Sequence, residues 1–203
     1  MLEANRYSVI NIRRFLNSDN PKLGESRLLQ VLSSFSCPRN PDVEHFLKKN
    51  SAEFTKKNQS VTYLVFDADS MVLAGYFTLA LKPLTIRGET VSNTVKRKLL
   101  RVSELDESSD TYTMSAYLIA QLGKNYANAA EKKITGEELL VLAWNKIKEM
   151  QYLGGGMVTF LETENKEKLL SFYRNNRFSQ FDTRQTTSET YESHELVQLL
   201  RLL

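Results

Sequence analysis

The sequence predicts an α/β fold in one domain, built on a mixed β-sheet with helices on both faces. Short apolar runs typical of strands alternate along the chain with amphipathic runs typical of helices. One run, 113–122, is apolar at almost every position, which indicates a central strand covered on both faces. No repeat or low-complexity tract divides the 203 residues, so we expect a single domain over 1–203.

The first half of the chain is predicted to contain one strand and two helices. The strand is 7–12, and the first helix begins at Gly24. Pro38 and Pro41 exclude a continuous helix between them, and the second helix is 42–57. The residues expected on the inner sides of the two helices are Leu28, Leu29, Val31, Leu32, Val43, Phe46, Leu47 and Phe54.

Two strands, 60–67 and 72–82, are predicted to form a hairpin that ends at Pro83. Gly75 in the second strand indicates a bulge or a close approach of the backbone. The other predicted elements are helices at 92–100, 136–151 and 164–175, a polar acidic loop at 101–110, strands at 157–161 and 178–183, and a last segment, 195–203, for which a strand is favoured over a helix.

Composition narrows the function classes. Cys37 is the only cysteine, which excludes an internal disulfide, and two histidines, His45 and His194, are too few to suggest a metal site. The net charge of +3 permits an anionic ligand or nucleic acid without requiring one. No signal peptide is visible, and no apolar run approaches the roughly 20 residues that span a bilayer. We therefore expect a cytoplasmic protein with no metal and no membrane contact.

One stretch, 132–140, has the order of residues that can build an anion site. It follows the central strand and opens the helix at 136–151. The first backbone N–H groups of a helix have no acceptor within the helix, and the helix dipole gives them partial positive charge. Gly136 would let a diphosphate approach this backbone, and Lys132 and Lys133 would add charge. A solvated turn is the alternative, because a single glycine is a weak motif.

The run 118–123 and the turn after it resemble the fourth strand and the acyl-CoA pyrophosphate loop of the GNAT superfamily of N-acetyltransferases. The family pattern in this loop is Gln/Arg-x-x-Gly-x-Gly/Ala. In the corresponding slot, 131–136, only the final glycine, Gly136, is kept. Glu131 stands where Gln or Arg is usual, and Ile134 replaces a glycine.

Two further segments carry the resemblance. The segment 165–178 is similar to the family's closing segment, because Phe172-Tyr173 precedes Phe178, although Arg177 stands where glycine is usual. The helix and two strands within 42–82 look like the branch that contains acetyltransferase toxins acting on aminoacyl-tRNA. The resemblance covers residues 35–183 and implies a GNAT-like, mostly antiparallel sheet with helices on both faces.

The resemblance also implies where acetyl-CoA would bind. The backbone near the end of the central strand would contact the pantetheine and the thioester, and the turn before Gly136 would hold the diphosphate. Asn165 is one residue off the family's common spacing. The cofactor-binding residues implied in this way are Gln121, Leu122, Lys124, Lys132, Lys133, Ile134, Thr135, Gly136, Glu137 and Asn165.

Two catalytic roles follow from the chemistry of acetyl transfer. Tyr173 is suited to protonate the leaving thiolate, because a phenol is protonated at neutral pH and can donate to sulfur. Packing of an amphipathic helix is the alternative explanation for this tyrosine. Glu162, or Glu164, could relay a proton from the amine through water, and a solvated strand end is the alternative there.

The leading hypothesis is an acetyl-CoA-dependent N-acetyltransferase that acts on a primary amine of a small molecule, a protein or an aminoacyl-tRNA. Basic clusters at 48–57 and 96–101 would suit a tRNA backbone, although solvated helix faces explain them equally well. The second hypothesis is a catalytically degenerate module that binds acyl-CoA or a protein partner, based on the departures at Glu131, Ile134 and Arg177. The sequence leaves open a homodimer and an antitoxin partner.

Overall fold

The protein was analysed as a computed structural model, which describes residues 6–17, 23–127, 130, 132–186 and 194–203. The first half follows the predicted order, with a hairpin after a group of helices. Its elements are β1 (Tyr7–Asn11), α1 (Arg13–Leu16), α2 (Glu25–Ser33), α3 (Pro41–His45), a π-helical turn (Phe46–Asn50), α4 (Ser51–Lys56), β2 (Val61–Asp67) and β3 (Leu73–Arg87).

The second half alternates strands and helices, and its last element is a strand, as the sequence favoured. Two glycines with positive φ, Gly155 and Gly156, follow its longest helix. The elements are a 3-10 turn (Gly88–Thr90), α5 (Asn93–Leu99), β4 (Glu104–Asp106), β5 (Thr111–Lys124), α6 (Gly136–Gly154), β6 (Val158–Glu164), α7 (Glu167–Asn175), β7 (Ser179–Thr186) and β8 (His194–Leu202).

The strands form a mixed, mostly antiparallel sheet in the order β1-β2-β3-β5-β6-β8-β7, with β4 paired to β5. The ladders β1/β2, β2/β3, β4/β5, β6/β8 and β7/β8 are antiparallel, and β5/β6 is parallel. The last strand in the sequence, β8, therefore lies between β6 and β7. This arrangement confirms the predicted fold class.

Several local predictions are wrong. Pro83 does not end the hairpin, because an exposed proline fits extended backbone and β3 continues to Arg87. The predicted acidic loop contains β4, which pairs with the start of β5. Leu29 and Phe54 are 52% and 39% exposed instead of lying on the inner faces of their helices. The motif position Glu131 lies outside the described residues.

The chain divides into two compact units. The first comprises Met1–Ala80 and Ile119–Ile147, and the second comprises Leu81–Leu118 and Lys148–Leu203. The strands β3 and β5 and the helix α6 contribute residues to both units. The single domain over 1–203 stays a prediction.

In the first unit, helices pack on both faces of the sheet. Tyr76 of β3 is fully buried, and its hydroxyl donates to the carbonyl oxygen of Val43 at 2.6 Å. Gly75, the preceding residue, points to the opposite face, where a Cβ would lie 3.3 Å from Leu139 of α6. The buried residues that share a cluster with Tyr76 are Ile12, Phe15, Leu28, Leu32, Phe35, Cys37, Leu47, Leu64, Phe66 and Leu73.

The second unit has its own hydrophobic core. It combines residues from β3, β5, β6, β7 and β8 with Leu99 of α5, and Val91 and Val95 pack against it. The buried members from the strands are Leu84, Ile86, Tyr112, Met114, Ala116, Val158, Phe160, Phe181 and Leu200. Residues two apart on each strand contribute, as expected where one face of a sheet is covered.

We predict that Gly75→Ala destabilises the protein by about 1–3 kcal/mol, because the new methyl group overpacks the sheet. Its Cβ would lie 2.8 Å from the carbonyl oxygen of Gly123, a backbone atom that cannot rotate away. Urea unfolding gives the change in midpoint. The control is Gly24→Ala, where no atom lies within 4 Å of an added Cβ. Equal midpoints for the two variants would contradict the close approach of β3 and β5.

Candidate active site

The turn that precedes α6 is built as a capping box. The Oγ1 of Thr135 accepts from the backbone N–H of Glu138 at 3.1 Å. In return, the Glu138 carboxylate accepts from the backbone N–H and the hydroxyl of Thr135, both at 2.8 Å. The helix therefore begins with two donors satisfied and with a carboxylate at its positive end.

Residues at the start of β1 hold the same turn. The Nη1 of Arg6 lies 2.7 Å from Oε1 of Glu138, and the hydroxyl of Tyr7 donates to the carbonyl oxygen of Lys133 at 3.0 Å. Desolvation, together with the nearby Glu138, raises the pKa of Tyr7 to about 12. Desolvation also raises the pKa of the Glu138 carboxyl, but the hydrogen bonds from Thr135 and the charge of Arg6 outweigh it, so that this pKa is lowered.

Lys133 is paired with Asp67 at the end of β2. Its Nζ lies 3.1 Å from Oδ1 of Asp67, and the same oxygen accepts from the hydroxyl and the backbone N–H of Ser70. These hydrogen bonds from Ser70, with the charge of Lys133 as a smaller cause, lower the pKa of Asp67 to about 2. One of the two lysines predicted to attract a diphosphate is thus neutralised within the protein.

The turn keeps a small set of groups that could bind an anion. Within the described residues, the backbone N–H groups of Gly136 and Glu137 open α6 and have no acceptor in the helix. Lys132 is exposed, whereas the side chain of Ile134 is 1% exposed and belongs to the core. Only the backbone of Ile134 could therefore contact a ligand.

Within the part of the chain that the structure describes, one edge of β5 has no strand partner over its second half. The parallel ladder between β5 and β6 consists of Tyr117↔Thr159 and Leu118↔Phe160. Beyond Leu118, β5 continues in the first unit to Lys124. Over that stretch, the described residues form no ladder with the edge of β5 that pairs with β6 before it. Backbone N–H and C=O groups near Gln121 and Leu122 are therefore left for another partner.

The end of β5 is anchored and positively charged. Buried Asn125 donates to the carbonyl oxygen of Leu73 at 2.7 Å and accepts from the N–H of Ser36 at 2.9 Å. The Nζ of Lys124 lies 5.5 Å from the centroid of the Tyr126 ring. The guanidinium carbon of Arg39 lies 4.8 Å from the same centroid. Cation–π contacts therefore hold two positive charges beside the strand end.

In the second unit, both carboxylate oxygens of Glu162 accept hydrogen bonds. Oε2 lies 2.6 Å from the guanidinium of Arg184, and Oε1 accepts from the side-chain amide of Gln198 at 2.8 Å. Glu164 forms an ion pair with Lys166 at 2.5 Å. A proton taken up by either carboxylate would weaken an existing ion pair.

Tyr173 lies on α7, close to the C-terminal end of that helix. The N–H of Phe178 donates to the carbonyl oxygen of Tyr173 at 3.0 Å, and the N–H of Arg177 donates to that of Arg174 at 2.9 Å. This is a Schellman motif, and the rings of Tyr173 and Phe178 pack edge to face with centroids 5.8 Å apart. Burial raises the pKa of Tyr173 to about 12. Asn165 is exposed in the bend before α7.

Comparison with known proteins identifies solved structures with a similar fold. No family model matches the sequence, and no curated protein matches it. Among solved structures, a tyrosine mutant of KacT has a TM-score of 0.62 at 15% identity, covering 97% of this chain and 95% of that chain. AtaT complexed with acetyl-methionyl-tRNAfMet has a TM-score of 0.59 at 14% identity, covering 94% and 93%. AtaTR bound with AcCoA has a TM-score of 0.56 at 14% identity, covering 97% and 93%.

The chain has the GNAT fold. AtaT and KacT share that fold, so the resemblance stated from the sequence is confirmed for the architecture. The described residues contain no cluster of histidine, cysteine, aspartate and glutamate that could hold a metal ion. No described helix is long and apolar enough to cross a membrane.

The predicted site residues fall into two groups. The first unit contains the residues of the turn and of the end of β5, and the second unit contains Glu162, Asn165 and Tyr173. Sequence reasoning missed the partners that fix the turn. The spacing Thr135-x-x-Glu138 is a sequence signal for the capping box, whereas Asp67 and Arg6 carry no such signal. The sequence-predicted roles of all these residues stay predictions.

We predict that the stabilising effect of Asp67 disappears at low pH. In the folded protein this carboxyl has a pKa of about 2, whereas in the unfolded chain it takes up a proton near its ordinary pKa, about 4. Its contribution is therefore fully present above about pH 5 and is lost as the pH falls toward 2. Calorimetry of wild type and Asp67→Asn should give Tm values that differ most above pH 5 and converge near pH 2. Asp69→Asn, in the same turn, is the control, and a pH-independent difference for Asp67→Asn would contradict the assignment.

Proposed function

We propose that this protein is an acetyl-CoA-dependent N-acetyltransferase that moves an acetyl group to a primary amine. The observation that carries the proposal is the ladder between β5 and β6, which stops after Leu118↔Phe160 while β5 continues to Lys124. A strand edge of this kind offers N–H and C=O groups at regular spacing, and the pantetheine arm carries two amides that can pair with them. The solved structure of AtaTR, which has the same fold, is bound with AcCoA.

The start of α6 would hold the diphosphate of the cofactor. The donors are the N–H groups of Gly136 and Glu137, and Lys132 supplies a positive charge. The carboxylate of Glu138 opposes an anion there, but Arg6 and the Thr135 N–H already neutralise it in part. These residues therefore fit a diphosphate, with fewer donors than a glycine-rich loop provides.

Acetyl transfer needs a neutral amine and a proton for the departing sulfur. When bound, acetyl-CoA supplies the thioester that the amine attacks. Tyr173 is the proposed proton donor, because a phenol is protonated at neutral pH and can donate to sulfur. The solved structures of AtaT and KacT include variants in which one tyrosine is changed to phenylalanine, which supports a tyrosine as the residue of interest.

The proposed reaction does not depend on Glu162 as a base. Its two oxygens are occupied by Arg184 and Gln198, so its contribution is to hold strands β6, β7 and β8 together. We propose instead that the acceptor amine loses its proton to water before it reacts, as an amine of modest pKa can do. The alternative, which the sequence suggested, is that Glu162 relays a proton from the amine through water.

The class of acceptor is proposed from the solved structures that resemble this chain. AtaT has been solved with acetyl-methionyl-tRNAfMet and with the antitoxin AtaR, which makes an aminoacyl-tRNA the first acceptor to test and an antitoxin the first partner. Cytoplasmic location and a homodimer remain predictions. The second candidate function is an acyl-CoA-binding module without turnover, which is favoured by the pairing of Lys133 with Asp67 and by the buried Ile134.

We predict that Gly136→Trp abolishes acetyl-CoA binding, because the indole would fill the space at the N–H groups that open α6. Isothermal titration calorimetry with acetyl-CoA measures the affinity. The matched control is Gly154→Trp at the other end of the same helix, where no atom lies within 4 Å of an added Cβ. Unchanged affinity in Gly136→Trp would remove the diphosphate from this position, and no binding by the wild type would remove the cofactor.

We predict that Tyr173→Phe lowers kcat by about 100- to 10,000-fold, because a general acid contributes about that much. The ring packing on Phe178 is retained, so KM for acetyl-CoA should not change. Thiol release is measured with an amine panel that includes aminoacyl-tRNA. Tyr152→Phe, which removes a hydroxyl from a residue that is 90% exposed, is the control. Binding of acetyl-CoA by the wild type without thiol release from any acceptor would favour the second candidate function.

A further inference from the structure

Two positive charges lie over one aromatic ring at the end of β5, in the first unit. The guanidinium carbon of Arg39 is 4.8 Å and the Nζ of Lys124 is 5.5 Å from the centroid of the Tyr126 ring. Because both distances are measured from one point, the two charges are no more than about 10 Å apart, and salt screens them only in part. They therefore repel each other and attract an anion.

The ring that carries the two charges is fixed by hydrogen bonds and packing. The backbone N–H of Tyr126 donates to the carbonyl oxygen of Ser36 at 2.8 Å, and the residue packs against the buried cluster around Tyr76. The preceding residue, Asn125, is 1% exposed. Its side-chain amide donates twice and accepts twice, with the partners Leu73, Ser34, Ser36 and Ala127. The two cations are thus positioned before any ligand binds, which lowers the cost of binding.

Among the described residues, no acidic side chain offsets either charge. Arg39 and Lys124 form no ion pair there, and their side chains donate to no acceptor. The carboxylates that follow Arg39 in the chain are Asp42 and Glu44 on α3. Glu44 is already paired with the Nζ of Lys48 at 2.6 Å, and Asp42 is exposed. The N–H groups of the guanidinium and of the ammonium are therefore available to a ligand.

We propose that Arg39 and Lys124 bind a phosphate group of the acceptor, which is then a nucleotide whose amine receives the acetyl group. A guanidinium that lies over a ring keeps the N–H groups at its rim free, and these match the oxygens of a phosphate in geometry. The ammonium of Lys124 adds a second charge to the same group. This inference rests on the proposed acetyl transfer, because it names the class of substrate for that reaction.

The position of the ring separates this phosphate from the diphosphate of the cofactor. Tyr126 packs against the cluster that contains Tyr76, on one face of the sheet. Gly75 faces the opposite side, where a Cβ would lie 3.3 Å from Leu139 of α6. The proposed diphosphate site is at the start of α6, so the pair of cations remains for another molecule. The 3′-phosphate of acetyl-CoA is the other source of the same chemistry, and the experiment separates the two.

The test is isothermal titration calorimetry, without turnover, of puromycin and puromycin 5′-phosphate, two primary amines that differ by one phosphate group. The wild type should bind the phosphorylated compound about tenfold or more tightly, because hydrogen bonds to charged groups contribute at least that factor. Arg39→Gln and Lys124→Gln should each bring the ratio of the two affinities toward one. The matched control is Arg14→Gln, which removes an equal charge from an exposed residue of α1 in the same unit.

The proposal is overturned if the wild type binds both compounds equally or binds neither, if Arg39→Gln keeps the ratio, or if Arg14→Gln loses it. A second titration compares acetyl-CoA with 3′-dephospho-acetyl-CoA. A preference for acetyl-CoA that disappears in Arg39→Gln would assign the pair to the cofactor and exclude the acceptor site. If the wild type bound no acetyl-CoA, the proposed transfer would fail, whereas the ratio for the two puromycin compounds would still support or exclude the phosphate site.

Discussion

The carboxylate of Glu138 is the group on which the turn before α6 depends. It closes the capping box with Thr135 and pairs with Arg6, so one side chain fixes the start of α6 relative to the start of β1. A capping interaction contributes typically about 1 kcal/mol. The ion pair adds less, because Arg6 is about half exposed and exposed pairs contribute about 0.2–1 kcal/mol. The cap therefore sets where α6 begins. The ion pair mainly keeps the start of β1 next to that end of the helix.

The same interactions limit how the turn can bind a ligand. Asp67 neutralises Lys133, and the capping box satisfies the N–H groups of Thr135 and Glu138. What is left is a pair of backbone donors and one exposed lysine. Binding along the edge of β5 would then have to supply much of the affinity for the cofactor.

Local patterns predicted most of the fold, whereas contacts between distant residues could not be predicted. The apolar run of β5 identifies this strand from a few neighbouring residues. The strand β4 has only three residues, too few for an alternating pattern to be recognised. Proline usually ends a strand, but the exposed position of Pro83 tolerates it. At the site, the capping box follows from spacing alone, but Asp67 is 66 residues from its partner Lys133.

The place of β8 in the sheet has a consequence for biosynthesis. This strand follows β6 and β7 in the chain, yet it pairs with both of them, and β7 has no other ladder among the described residues. During synthesis, β7 therefore has no strand to pair with until β8 has left the ribosome. The nascent chain would expose unpaired strand edges during that interval, which are sites for aggregation or for chaperone binding. The sheet of the second unit can therefore form fully only after β8 has been synthesised.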